Sequence, residues 1–119
     1  MEENKVLINK IVEAIQDKKG YDITTIDLNH IPSAPYRHFV ICQGDSTTQV
    51  RAIAENVRNV VREELNEKPY AVDGFNQSQW IVLDYGSVLV HIFVPDFRSF
   101  YQIEDLWEDA HRTDIPNLD

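Results

Sequence analysis

The run HFVICQ (His38–Gln43) holds four consecutive apolar residues, Phe39–Cys42, and so has no face to give to water. A strand of that kind sits inside a sheet covered on both sides, which points to a mixed α/β architecture with helices flanking the sheet. Gly44 ends the run, and Ser46–Gln49 matches the S-x-x-Q capping box that starts a helix. Val50, Ile53, Ala54, Val57 and Val61 then share one helical face, while Arg51, Glu55, Arg58, Arg62 and Glu63 take the solvated side. Pro69 closes the helix, and YAVDG reads as a short strand. His38 to Asp73 is thus expected to form a right-handed strand–helix–strand crossover.

The remaining segments fill out the sheet. Val6–Ile15 reads as an amphipathic helix through Ile8, Ile11, Val12 and Ile15, with Gly20 expected as its left-handed cap. YDITTIDL (Tyr21–Leu28) is rich in β-branched residues and reads as a strand, followed by a proline-containing loop, NHIPSAPY. WIVLD and SVLVHIFV flank Tyr85-Gly86 as a hairpin, and Pro95 ends its second strand. From Asp96 a helical pattern returns, with Phe100, Ile103, Trp107 and Ala110 on one side and a second capping box at Ser99–Gln102. HRTDIPNLD reads as a frayed tail. The order α-β-β-α-β-β-β-α is that of one domain over residues 1–119, with its core in 6–110 and its tail in 111–119.

Several classes of function are disfavoured by composition. No apolar run is long enough to cross a bilayer, and the N-terminus has neither the apolar core of a signal peptide nor the arginines of a transit peptide. The single cysteine, Cys42, fits a reducing cytoplasm. A formal net charge of −9 works against broad phosphate-backbone binding and favours a basic protein partner.

Catalysis finds little support. His30, His38, His91 and His111 are scattered without a ligand-pair spacing, so no metal site is expected. Cys42 lies inside an apolar run, as an inert core thiol does. G-x-S-x-G and Walker patterns are absent, and Gly44-Asp45-Ser46 reads as a helix cap, because Asp45 repels a phosphate there. Asp73 and Asp84 stand on separate strands with no D-x-D pair to share a metal, and no cofactor is implied.

The hairpin is more informative. A two-residue turn at Tyr85-Gly86 sets Asp84 opposite Ser87, Val82 opposite Leu89 and Trp80 opposite His91. One face is then aliphatic: Ile81, Leu83, Val88, Val90 and Ile92. The other mixes Trp80, Val82, Asp84, Leu89, His91 and Phe93, and is either a recognition surface or a second core layer. In the final helix Glu104, Asp105, Glu108 and Asp109 form like-charge pairs, tolerable on a solvated face or on one that docks a basic partner.

WIVLDYGSVLVHIF followed by RSFYQIEDLWEDA resembles the signature of the Iojap or ribosomal silencing factor family, and FVICQGDSTTQV resembles its earlier strand-to-helix segment. The likeness runs from Val6 to about Ala110. It departs before the FVI strand, where Tyr36-Arg37-His38 stands in place of the family's usual acidic residue. It implies a fold related to nucleotidyltransferases without their catalytic carboxylates. It also implies a cytoplasmic, non-enzymatic translation repressor that binds the large ribosomal subunit through ribosomal protein L-fourteen. Subunit joining would be blocked under nutrient limitation, with little direct nucleic-acid contact. The partner-binding set it suggests is Trp80, Val82, Asp84, Tyr85, Leu89, His91, Arg98, Tyr101 and Glu104. A homodimer in the free state is compatible with it. The competing readings are a nucleotidyltransferase-like enzyme and a generic acidic adaptor.

Overall fold

A computed structural model describes residues 2–118. Six strands form one mixed sheet: β1 Tyr21–Asp27, β2 His38–Gln43, β3 Ala71–Asp73, β4 Trp80–Asp84, β5 Val88–Phe93 and β6 His111–Ile115. Their spatial order is β3-β4-β5-β2-β1-β6. β2 and β5 pair in parallel, and the other neighbours pair antiparallel. The apolar strand therefore lies between two neighbours, and Phe39–Cys42 are buried.

Two helices cover one face, α1 (Glu2–Asp17) and α2 (Thr47–Leu65). Leu7, Ile11, Ala14 and Ile15 of α1 and Val50, Ile53, Ala54, Val57 and Val61 of α2 pack on Val40, Cys42, Ile81, Leu83, Val88, Val90 and Ile92. The expected capping box forms, in a shifted version. The Gln49 amide donates to Ser46 Oγ at 3.1 Å, while Gln49 Oε1 accepts from the amide of Asp45 at 2.7 Å. α2 stops at Leu65, four residues before Pro69, because Asn66 turns left-handed (φ 55°) and closes onto the carbonyl of Arg62.

The other face carries a smaller core of Ile26, Leu28, Ala34, Phe39, Ile41, Phe93 and Ile103. Over it lie α3 (Pro95–Tyr101) and a 3-10 helix (Ile103–Trp107). The long final helix expected through Ala110 is thus broken. Gln102 adopts φ 45°, its amide closes onto the carbonyl of Arg98, and the chain restarts as a tighter turn. Phe100, placed inward by the helical pattern, is 79% exposed, and no capping box forms at Ser99. The like-charge i,i+4 pairing of the final carboxylates does not arise either, since α-helical spacing ends at Tyr101.

Two further expectations are corrected. Residues 111–115 are an edge strand paired along β1, not a frayed tail, and Asn117 Oδ1 accepts from the amide of Asp22 at 2.7 Å. After α1 the left-handed residue is Lys19 (φ 64°), not Gly20. Gly20 is needed for proximity instead, since a Cβ there would lie 2.4 Å from Ile15 Cγ2.

Between β3 and β4, Gly74 has φ +93° and its missing Cβ would fall 2.1 Å from the Trp80 carbonyl oxygen. Gly74→Ala is therefore expected to destabilise the fold by on the order of 2 kcal/mol or more. Urea unfolding checks this through a lowered midpoint at unchanged m-value.

Candidate functional site

Hairpin register decides which side chains share a surface. Trp80 pairs with Phe93, Val82 with His91 and Asp84 with Leu89, a shift of two residues from the expected register. The turn is centred on Gly86-Ser87: Tyr85 N donates to Val88 O at 2.9 Å and Gly86 has φ +89°. Moving a two-residue turn by one position moves the register by two, so every side chain keeps its face. Ile81, Leu83, Val88, Val90 and Ile92 all lie fully buried toward α1 and α2, and the mixed set shares the opposite face.

On that face Phe93 and His91 form a buried floor, while Trp80, Val82, Asp84 and Leu89 are half-buried. Trp80 stacks on Phe93 with centroids 4.9 Å apart, and Tyr101 of α3 lies 4.8 Å from the indole. The indole Nε1–H donates to His91 Nδ1 at 3.1 Å, and the imidazole meets Phe39 edge-on at 5.0 Å. Burial pushes the His91 imidazole down to about 4. Asp84 is fixed from two sides: Oδ2 accepts from the Tyr36 hydroxyl at 2.9 Å and Oδ1 from the amide of Gly86 at 2.8 Å. Donating to that carboxylate holds the Tyr36 phenol above its ordinary value.

Three of the expected partner-binding residues lie elsewhere. Tyr85 is 4% exposed and belongs to the core beneath the long helices, on the opposite side of the sheet from Trp80. Its phenol is pushed up to about 12 by burial. Arg98 is buried on the inner side of α3, where Nε meets Glu104 Oε1 at 3.1 Å, Nη1 reaches Gln43 Oε1 and the Asp22 carbonyl, and Nη2 reaches Thr24 Oγ1. Thr24 donates onward to Asp114 of β6 at 2.8 Å. Arg98 and Glu104 thus clamp α3 and the 3-10 helix to β1, β2 and β6, along a polar cleft of about 640 Å³.

Phe100 (79% exposed) extends the aromatic surface past Tyr101, Leu106 (71% exposed) stands on the 3-10 helix that follows, and neither was in the expected set. Phe100 and Tyr101 touch edge-on at 5.0 Å. Exposed Asp96, Asp105, Glu108 and Asp109 come from the same stretch of chain. The signal that would have found Phe100 is the helix break at Gln102, which no glycine or proline announces.

Exposed aromatic groups over a packed floor, with carboxylates in the neighbouring chain segment, suit protein docking. The Cys42 thiol is fully buried and pushed up to about 12. Asp45, at the strand-to-helix junction, accepts a hydrogen bond from the Tyr21 hydroxyl. No cluster of three or more histidine, cysteine or carboxylate residues suited to a metal occurs among the described residues.

The chain matches the family described as Ribosomal silencing factor during starvation over residues 1–119. It is 35% identical over 115 residues to the Ribosomal silencing factor RsfS of Halalkalibacterium halodurans, covering 97% of each chain. A crystal structure of a Chromobacterium violaceum protein superposes with a TM-score of 0.82 at 31% identity, covering 87% of this chain and 85% of the other. The mouse protein named Mitochondrial assembly of ribosomal large subunit protein 1 is 27% identical over 103 residues, 84% of this chain and 44% of its own length.

Two outcomes are expected from the geometry of the site. Arg98→Ala leaves the Glu104 carboxylate without its cation in a mostly buried position, and a loss of roughly 3–5 kcal/mol should appear in thermal or urea unfolding. His91, neutral when folded, binds its proton far less readily than in the unfolded chain, so stability is full above the ordinary value of 6.5 and falls as pH drops toward about 4. The gap corresponds to roughly 3 kcal/mol. His91→Phe should flatten that part of the stability–pH curve.

Proposed function

This chain belongs to the ribosomal silencing factor family, and from that membership we propose that it docks on the large ribosomal subunit and keeps the small subunit from joining. The contact is with ribosomal protein L-fourteen, and translation is repressed when nutrients are short. The protein acts in the cytoplasm by occupying a surface, with no turnover and no cofactor. The observation that carries this reading is the half-open face of Trp80, Val82 and Leu89, continued by Tyr101 and Phe100, on a chain of net charge −9.

The physics of such a contact divides the labour. Aromatic anchors over a packed floor supply most of the affinity, and the floor of Phe93 and His91 holds Trp80 in place before the partner arrives. The net charge of −9 steers a basic ribosomal protein and rejects acidic ones. The name of the mouse relative, which refers to the large ribosomal subunit, supports the choice of subunit. Tyr85, Arg98 and Glu104 take no part in this docking face. Their place is the scaffold beneath or beside it.

Sucrose-gradient sedimentation tests the proposal directly. Added to separated subunits, the protein should travel with the large subunit and lower the yield of assembled ribosomes, and unchanged assembly at saturating protein would refute it. Trp80→Ala should weaken large-subunit binding by ~2 kcal/mol or more, about thirtyfold. Its stability loss should stay below the ~3–5 kcal/mol of a fully buried aromatic, because the indole is only half-buried.

A further inference from the structure

We propose that His91 is the positioning residue of the docking face: its neutral imidazole takes up the indole N–H of Trp80, so that Trp80 meets the partner as an apolar and π surface only. This inference rests on the reading that the Trp80 face is where the protein docks.

Hydrogen bonding on the imidazole carries the argument. His91 Nδ1 accepts from Trp80 Nε1–H at 3.1 Å, which assigns the ring hydrogen to Nε2. Among the described residues that Nε2 is buried with no hydrogen-bond partner. A buried N–H left without an acceptor costs stability, and an apolar side chain at the same place would avoid that cost. What the imidazole contributes and a leucine or phenylalanine would not is the acceptor at Nδ1. With that acceptor in place the indole N–H is satisfied before docking, and a bare indole N–H would otherwise demand an acceptor from the partner. The partner group over Trp80 is accordingly an apolar side chain or the cation of a lysine or arginine, either of which suits a basic protein.

The interaction is also confined to one protonation state. A doubly protonated ring carries N–H on both nitrogens, so Nδ1 would turn from acceptor to donor and face the indole N–H. The elements packed around His91 bring few groups able to compensate. β4 brings Asp84, whose oxygens are held by Tyr36 and the Gly86 amide, and α3 brings Tyr101. The 3-10 helix brings Glu104, already bound to Arg98, while β2 contributes Phe39 and Ile41. Burial with no counter-ion accounts for the depressed value of about 4.

The test follows the Trp80 indole N–H resonance of the free protein by nitrogen-15 NMR from pH 7 to 3.5, alongside large-subunit binding at neutral pH. The parent resonance should shift as His91 titrates, and in His91→Phe it should stand displaced at neutral pH and no longer follow acid. His91→Phe should bind at least tenfold more weakly, mainly through faster dissociation, and His91→Gln, which keeps an oxygen acceptor, should recover most of the loss. An indole resonance indifferent to His91 titration overturns the proposal even if His91→Phe fails to fold. So does a folded His91→Phe that binds like the parent while Trp80→Ala does not. Parent-like binding by Trp80→Ala instead removes the docking reading itself.

Discussion

The structure depends on β2 being buried on both faces. Val40 and Cys42 point into the layer of α1 and α2, while Phe39 and Ile41 point into the layer under α3 and the 3-10 helix. Neither layer can be omitted, because each covers apolar surface that the other cannot reach. The two layers are unequal, however. The long helices bury Ile81, Leu83, Val88, Val90 and Ile92 fully, whereas α3 and the short turn after it cover only part of their side, leaving Trp80, Val82 and Leu89 half-open. The proposed docking face is the uncovered remainder of a second core.

This asymmetry explains what was legible in the sequence. Alternation along β4 and β5 separated an aliphatic face from a mixed one, and that separation survived an error in the turn, because displacing the turn by one residue preserves side-chain parity. The capping residue Ser46 and the apolar stripe of α2 were equally plain, since they rest on local chemistry. The helix break at Gln102 was not, because nothing in SFYQIEDLW forbids a continuous helix. What breaks it is tertiary: Ile103 turns into the second core while Arg98 is drawn down to Glu104, Thr24 and Gln43.

The candidate site was legible to the same degree. Trp80, Val82, Asp84, Leu89 and His91 share one face because strand periodicity places them there. Tyr85 sits on the other side by the same parity rule, which a family motif alone does not express. Arg98 and Glu104 have an internal role: their ion pair joins α3 to the 3-10 helix, and the other hydrogen bonds of Arg98 tie both to the sheet. Phe100 and Leu106 could not be placed on the surface until the helix was seen to end.

The pairing of β6 with β1 has a consequence for biosynthesis. Residues 111–115 close the edge of a strand made some ninety residues earlier, and the side-chain bonds that secure this segment span sequence separations of 90 and 95 residues. During synthesis β1 can pair with β2 early, but its outer edge stays open until residues 111–117 have left the exit tunnel. Until then an unpaired strand edge is offered to any neighbouring nascent chain. Polar Thr25 and Asp27 on β1, and Asn29 just beyond it, lower the appeal of that edge. Closure is therefore a late, long-range event, slow by its contact order, and the Arg98 clamp, which reaches Asp114 through Thr24, cannot be complete before it.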